Sequence, residues 1–242
     1  MSSRAHPPEL GSGQMFDRIA NRYDLLNRVI SLGFDRTWRH RTAQSLRPIG
    51  PRHILDLATG TGELAIELAH LYPNASVLGL DLAPLMLDIG AKKIAEQGLQ
   101  HRVRLELGDA SRLPFSSASF DACTMAFGIR NVADRRRVLA QMQRVTRPGG
   151  RLAILELSEP RGRLAPLLRL HVHGLVPLVG SVLAGASEYR YLSRSIAAFP
   201  APEEFVLLLK AVGLRSVRVE AMMLGVLHLY LASVPAQHDL RP

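Results

Sequence analysis

The residues best placed to do chemistry lie where the first apolar run of the chain meets a glycine-rich turn. Asp56 stands near the end of the run, and Gly60, Thr61 and Gly62 follow before a helical stretch begins at Glu63. Glycines in such a turn let a ligand approach the backbone closely, and the spacing also fits the dinucleotide fingerprint. By itself the pattern predicts a cofactor that contains a nucleoside and specifies no reaction.

Acidic residues also end the next two apolar runs. Asp81 follows the turn by about 20 residues, where a carboxylate accepts hydrogen bonds from both hydroxyls of a ribose. It would also serve as the N-cap of the next helix, and the two roles are compatible. Asp109, followed by Ala110, ends the third run. An acid there accepts from the exocyclic amine of adenine while a neighbouring backbone N–H donates to the ring.

Seven short apolar runs must position these residues. The first five alternate with helical stretches, which predicts a parallel sheet covered on both faces. The last two are joined by a few residues around Gly225, which predicts an antiparallel hairpin. We therefore expect an α/β fold with a doubly wound, seven-stranded, mostly parallel sheet. The predicted strands are His53–Leu57, Ser76–Leu80, Val103–Leu107, Phe120–Met125, Arg151–Leu157, Arg215–Glu220 and Val226–Ser233.

The chain length of 242 residues fits one domain, which we place at residues 14–234 between flexible tails at 1–13 and 235–242. An amphipathic helix over 15–30 leads into it. An insert at 160–202 contains a long apolar stretch, but Arg169 and Pro177 interrupt it, and an arginine at the membrane centre is costly. The insert is therefore expected to cover an apolar pocket rather than to cross a membrane.

Composition narrows the class of protein. Hydrophobic residues make up 47% of the chain and charged residues 21%, which excludes a disordered or collagen-like chain. A single cysteine, Cys123, excludes an internal disulfide and a cysteine-based zinc or iron–sulfur cluster. The net charge of +9 favours a polyanion, and charge alone does not distinguish nucleic acid from an anionic membrane.

Longer motifs make the chain similar to one family. The three acidic positions, with the turn at 147–150, resemble class I S-adenosylmethionine-dependent methyltransferases, whose fold is Rossmann-like. Four further motifs narrow the resemblance, over about residues 14–234, to the ubiquinone/menaquinone biosynthesis C-methyltransferases. They are Tyr23-Asp24-Leu25-Leu26-Asn27 with Ser31, Gly33 and Trp38; Phe127-Gly128-Ile129-Arg130-Asn131-Val132; residues 137–150 with Glu156; and Glu188-Tyr189-Arg190-Tyr191-Leu192 with Ser195 and Phe199-Pro200.

The resemblance implies S-adenosyl-L-methionine as cofactor, no metal, and a prenylated quinol as substrate. The implied reaction is C-methylation of the ring of demethylmenaquinol to menaquinol. Methylation of a benzoquinol in ubiquinone biosynthesis is the alternative within the family. The residues expected to bind the cofactor are Asp56, Gly60, Thr61, Gly62, Asp81, Asp109 and Ala110.

Arg130 and Asn131 are the expected catalytic residues. A quinol with an ionised hydroxyl carries electron density on the adjacent ring carbon, so the protein must favour a phenolate. A guanidinium stabilises such an oxyanion without losing its charge, and Asn131 would position the ring. The candidate acceptors for the departing ring proton are His171, His173, Asp35 or a water.

Two positions depart from the family pattern. The family commonly has His where this chain has Asp35, which puts in doubt a catalytic role for that position. It commonly has Ser where this chain has Ala126, which removes one side-chain contact to the cofactor.

Other classes of function fit less well. A short-chain nicotinamide reductase needs Tyr-x-x-x-Lys, and the residues four before the lysines are Asp88, Ile89 and Val206. A nucleic-acid methyltransferase usually has Asn/Asp-Pro-Pro-Tyr/Phe after the fourth strand, which this chain lacks there. A scaffold without turnover has no need of Arg130 and Asn131. We expect no nucleic-acid partner.

A prenylated substrate resides in the bilayer, and the excess of arginine would hold the protein near anionic lipid. The single cysteine favours the reducing cytosol, so the expected location is cytoplasmic, with peripheral contact to the inner face of the membrane. Assembly into a homo-oligomer is left open by the sequence.

Overall fold

The computed structural model describes residues 13–160 and 186–236. In this part of the chain seven strands form one sheet and helices connect most of them, but the connections between the third and fourth strands and between the last two strands contain no α-helix. The strands are β1 His53–Leu57, β2 Ser76–Asp81, β3 Val103–Leu107, β4 Phe120–Ala126, β5 Thr146–Leu157, β6 Arg215–Met222 and β7 Leu227–Ser233. The helices are α1 Gly13–Ile30, α2 Asp35–Gln44, α3 Glu63–Leu71, α4 Pro84–Glu96, α5 Arg135–Val145, α6 Ala186–Ala197 and α7 Pro202–Ala211.

The predicted doubly wound sheet is confirmed. Its strand order is β3-β2-β1-β4-β5-β7-β6. Strands β1 to β5 pair in parallel, and β7 pairs antiparallel with both β5 and β6. Strands β2 and β3 lie on one side of β1, and β4 and β5 lie on the other. The carboxyl ends of β1 and β4 therefore border the crevice where ligands bind in such sheets.

Strand β5 begins at Thr146, earlier than the predicted start at Arg151. This earlier start results from the pairing of Gly149 and Gly150, which the sequence predicts to form a turn before the strand. The Gly149 N–H donates to the carbonyl of Val234 over 2.9 Å, and the Val234 N–H donates to the carbonyl of Gly150 over 3.0 Å. These bonds keep the segment paired with the sheet through an irregularity in the β4–β5 register.

Apolar side chains cover both faces of the sheet. Helices α2, α3 and α4 pack on one face, and α5 and α7 pack on the other. Helix α1 lies outside this arrangement and packs on the start of α4 through Ala20, Ala83 and Met86. The Asp17 carboxylate of α1 also accepts from the Leu85 N–H over 2.9 Å. Helix α1 is thereby held across the carboxyl edge of the sheet.

The predicted insert at 160–202 is described only at its ends. Residues 161–185, which include most of its apolar stretch, lie outside the described residues, as do the predicted tail positions 1–12 and 237–242. Within the described ranges, no helix combines the length and apolar character needed to cross a membrane.

Candidate functional site

The turn after β1 brings backbone to the carboxyl edge of the sheet. Ala58, Gly60 and Gly62 have positive φ angles of 50°, 56° and 76°, a region that glycine adopts without strain. The Gly60 N–H donates to Oδ2 of Asp81 over 2.8 Å. The turn is thereby tied to the end of β2.

A cavity of about 660 Å³ opens beside this turn. Its volume lies within the range of roughly 300–1,000 Å³ that is usual for sites of small molecules and cofactors. Five of the predicted site residues meet along its wall, namely Gly60, Asp81, Asp109, Ala110 and Asn131. We call this space the cofactor cavity.

Asp81 keeps acceptor capacity toward the cofactor cavity. Its Oδ1 accepts from the Ala83 N–H over 2.9 Å, and its Oδ2 accepts from Gly60. The Leu82 N–H also interacts with this carboxylate, and since its two oxygens together carry four lone pairs, acceptor capacity remains for a ligand hydroxyl. Burial raises the pKa of Asp81, while the backbone N–H groups of Gly60 and Ala83 act in the opposite direction.

Asp109 and Ala110 follow β3 and form part of the wall of the cofactor cavity. Both carboxylate oxygens of Asp109 accept from Ser111, one from its N–H and one from its hydroxyl, each over 2.7 Å. These bonds fix the orientation of the carboxylate at the edge of the cofactor cavity.

Asp56 lies beneath the turn rather than in the cofactor cavity. It is 1% exposed, and its two oxygens accept from the hydroxyls of Thr59 and Thr124 over 2.7 and 2.6 Å. Burial raises the pKa of Asp56 to about 6, although both hydroxyls act to lower it. Asp56 therefore links the turn after β1, through Thr59, to β4, through Thr124.

Thr61 and Gly62 also support the turn from outside the cofactor cavity. The Thr61 hydroxyl donates to Oδ1 of Asp24 over 2.6 Å, and the Asp24 carboxylate also contacts Nζ of Lys93. At Gly62 a Cβ would lie 3.6 Å from a methyl carbon of Leu105, so this glycine packs against the middle of the edge strand β3. Thr61 therefore fastens the turn to α1.

A second, mostly apolar space of about 140 Å³ lies next to the cofactor cavity, and we call it the apolar pocket. Residues from α1, α2, α6 and the β6–β7 connection surround it. Phe16, Tyr23 and Phe127 line both this pocket and the cofactor cavity. Its other lining residues are Met15, Ile19, Leu26, Asn27, Ile30, Ser31, Asp35, Trp38, Arg39, Arg130, Leu157, Tyr191, Leu192, Ile196, Met223 and Val226.

Phe127 stands in the shared wall in a strained conformation. Its φ is +58°, which is unusual for a residue with a bulky side chain. The next residue has to be glycine, because a Cβ on Gly128 would lie 2.5 Å from the Cβ of Ala58. Such strain persists where surrounding structure enforces it and concentrates at functional sites.

Arg130 lines the apolar pocket and is paired with a buried carboxylate. Its Nη1 lies 2.8 Å from Oε1 of Glu156 and donates to the Phe127 carbonyl over 2.7 Å. The two side chains are 7% and 0% exposed. Burial acts to lower the pKa of Arg130, but the charge and hydrogen bond of Glu156, together with Tyr23 and Tyr191, outweigh it, and the pKa lies above its ordinary value. The guanidinium therefore remains charged in the pocket.

Asn131 bridges the two spaces. Its side chain lines the cofactor cavity, and its Oδ1 accepts from the hydroxyl of Tyr191, which lines the apolar pocket, over 3.0 Å. Its Nδ2 donates to the Phe127 carbonyl over 3.3 Å. The structure thus brings Arg130 and Asn131 together at the boundary, both bonded to the same carbonyl.

Of the predicted proton acceptors, Asp35 lies in the apolar pocket. Its Oδ2 is 2.5 Å from Nη1 of Arg39, and its Oδ1 accepts from the Ser31 hydroxyl over 3.1 Å. The Arg39 guanidinium in turn lies 5.5 Å from the centre of the Phe127 ring. His171 and His173 lie outside the described residues.

The sequence reasoning missed Arg39, the pairing role of Glu156 and the contact between Asp24 and Thr61. The sequence contains one signal of the apolar pocket, which is a polar residue at every fourth position. These residues are Tyr23, Asn27, Ser31, Asp35 and Arg39. This spacing is that of one helix face, and it continues from α1 into α2. A polar stripe of this kind ordinarily indicates a solvated face.

The comparisons with known proteins agree with this geometry. The ubiE/COQ5 methyltransferase family model matches residues 8–233. A demethylmenaquinone methyltransferase of Deinococcus radiodurans is 46% identical over 88% of this chain and 88% of its own length. One of Thermus thermophilus is 44% identical over 91% and 100%. A ubiquinone/menaquinone biosynthesis C-methyltransferase of Geotalea daltonii is 38% identical over 90% and 93%.

Solved structures show the same fold at low sequence identity. A SAM-dependent methyltransferase of Thermotoga maritima matches with a TM-score of 0.64 and 19% identity, over 91% of this chain and 98% of that one. A SAM-dependent methyltransferase of Aquifex aeolicus matches with 0.57 and 19%, over 80% and 89%. With the family model matching nearly the whole chain, this protein belongs to the ubiE/COQ5 methyltransferase family and is an S-adenosylmethionine-dependent C-methyltransferase of quinone biosynthesis.

Proposed function

We propose that this enzyme methylates the ring of demethylmenaquinol to give menaquinol. The observation that carries the proposal is a pocket of apolar side chains that shares a wall with the cofactor cavity and contains the buried guanidinium of Arg130 beside that wall. The choice of a naphthoquinol is supported by two relatives, at 46% and 44% identity, that are demethylmenaquinone methyltransferases.

The cofactor cavity suits an adenosine-containing molecule. The free lone pairs of Asp81 would accept from the ribose hydroxyls, and Asp109 with the backbone at Ala110 would contact the adenine. Gly60 allows close approach, while Asp56, Thr61 and Gly62 shape the turn from behind. When bound, S-adenosylmethionine supplies an activated methyl group whose C–S electron pair leaves with sulfur as the new carbon–carbon bond forms.

Arg130 would stabilise the ionised hydroxyl of the quinol. A phenolate directs electron density to the neighbouring ring carbon, which is the atom that must attack the methyl group. Because Arg130 bonds to the Phe127 carbonyl at the shared wall, its charge lies at the end of the pocket nearest the cofactor. Asn131, held by Tyr191 and the same carbonyl, would orient the ring. Prearranged donors of this kind act strongly in a site that excludes water.

The apolar lining would hold the rest of the substrate. Burial of apolar surface contributes roughly 25 cal/mol per Å², so a prenyl chain favours such a pocket over water. Because the substrate resides in lipid, we also propose peripheral contact of this basic protein with an anionic membrane.

The proposal is tested by incubating the purified enzyme and S-adenosylmethionine with reduced demethylmenaquinol and, in parallel, with a prenylated benzoquinol. The readout is methylated quinone, followed by mass spectrometry. We expect kcat/KM to be higher for the naphthoquinol. A higher kcat/KM for the benzoquinol would assign the enzyme to ubiquinone biosynthesis, and activity on neither ring would refute the proposal.

A further inference from the structure

Two hydrogen-bond donors in the apolar pocket are shielded from solvent and have no partner among the described residues. They are Nε of Arg130 and Nδ2 of Asn27, and both residues line the pocket. A buried donor without an acceptor costs about 1–3 kcal/mol, so native proteins rarely retain one without a reason. Two such donors in one pocket indicate a ligand that presents two acceptors.

The fold places the two donors at different distances from the cofactor. Arg130 is bonded to the Phe127 carbonyl at the wall that both spaces share. Tyr23 also belongs to that wall, and Asn27 follows it by one turn of α1, about 6 Å farther along the helix axis. Asn27 does not line the cofactor cavity. It therefore lies deeper in the pocket, away from the methyl donor.

We propose that the Asn27 amide donates to the quinol oxygen that lies across the ring from the reacting side, while Arg130 holds the oxygen beside the methylated carbon. This inference rests on the proposed function, because a 1,4-quinol carries its oxygens at opposite ends of the ring. With the reacting carbon facing the cofactor cavity, the second oxygen points away from it, toward the position of Asn27. Asn27 is thus a substrate-binding residue, and the two donors together fix the direction of the ring.

The first test replaces the amide with an apolar side chain of similar size. In Asn27→Leu we expect KM for the quinol to rise about tenfold, which corresponds to about 1.4 kcal/mol. The kcat should change by less than about threefold and the Kd of S-adenosylmethionine should stay the same, because Arg130 and the cofactor cavity are untouched. The melting temperature should not fall, since the variant removes an unpaired buried amide. Asn21→Leu, at an exposed position of α1, is the matched control.

Binding is measured separately from turnover. Trp38 is the single tryptophan of the chain and lines the apolar pocket, so its fluorescence reports quinol binding directly. The titration uses demethylmenaquinol and an analogue, a prenylated 1-naphthol that lacks the oxygen remote from the reacting carbon. The wild type should bind the analogue about tenfold more weakly, and Asn27→Leu should bind both compounds with the same affinity.

Three results would overturn the inference. One is an equal loss of affinity for both compounds in Asn27→Leu, which would make Asn27 a structural residue. Another is an unchanged affinity for demethylmenaquinol. The third is a change in cofactor Kd, which would place the amide at the other ligand. In the first two cases wild-type turnover would still support the proposed function, whereas a wild type that binds and methylates neither quinol would refute both.

Discussion

Replacement of Asp56 by Asn should change how the stability of this enzyme depends on pH. Burial raises the pKa of Asp56 from 3.8 to about 6 in the folded protein. Below the unfolded pKa both states are protonated and the carboxyl carries no penalty. Above the folded pKa both states are ionised, and the folded state bears the cost of a buried charge. The destabilisation therefore develops as the pH rises from about 4 to 6, and its size is about 3 kcal/mol.

An asparagine removes this dependence and keeps most of the hydrogen bonding. Thr59 and Thr124 donate to different oxygens of Asp56, and Thr124 also lies 3.5 Å from the Leu55 carbonyl. The Thr124 hydroxyl can therefore donate to that carbonyl and accept from the new amide.

The assay is urea unfolding of both proteins at several pH values between 4 and 7. The free energy of unfolding of Asp56→Asn, relative to the wild type, should increase by about 3 kcal/mol across this range. Asp88→Asn, at an exposed position of α4, shows the effect of removing a surface carboxyl. A difference between wild type and Asp56→Asn that does not vary with pH would refute the reasoning.

Two further predictions concern the buried ion pairs of the apolar pocket. Arg130→Lys keeps a charge for Glu156 but loses the Nε donor. The kcat for the quinol should therefore fall about 100-fold, while the Kd of the cofactor changes by less than about twofold. Steady-state kinetics measure kcat and calorimetry measures Kd, and an unchanged kcat would contradict the role proposed for Arg130. Asp35→Asn leaves the Arg39 guanidinium buried without its counter-charge and should lower the free energy of unfolding by about 3–5 kcal/mol. Urea unfolding measures that loss, and a loss below about 1 kcal/mol would show that the pair is not desolvated.

The sheet could be predicted because each of its strands obeys a local rule. Strands β1, β2, β4 and β5 are largely buried, helices separate β1 from β2, β2 from β3 and β4 from β5, and the last two strands are joined too closely to be parallel. The start of β5 could not be predicted, since it depends on bonds from Gly149 and Gly150 to Val234, a residue distant in sequence. Turn residues predict a turn only where no distant strand pairs with them.

The cofactor cavity could be predicted in outline because parallel strands carry the residues at their carboxyl ends to one edge. The polar side chains of the apolar pocket could not be predicted, because α1 departs in part from the usual pattern of an amphipathic helix. Its polar residues Tyr23 and Asn27 line the pocket, while Leu25 and Val29 are 58% and 38% exposed. A helix that covers a ligand rather than a protein core turns part of its polar face inward, and periodicity alone does not distinguish these cases.

The two arginines of the apolar pocket fit the proposed substrate, a neutral quinol that would react as an anion. Arg39 and Arg130 are each paired with a carboxylate of their own, and the two pairs meet at Phe127. Because each buried charge is matched, the pocket presents no net charge to a neutral quinol and avoids the cost of an isolated ion. Glu156 occupies Nη1 of Arg130, and Nε has no partner among the described residues. In the proposed reaction a quinol that ionises in the pocket would meet a donor already in place, so the stabilisation would act on the phenolate more than on the neutral substrate, as catalysis requires.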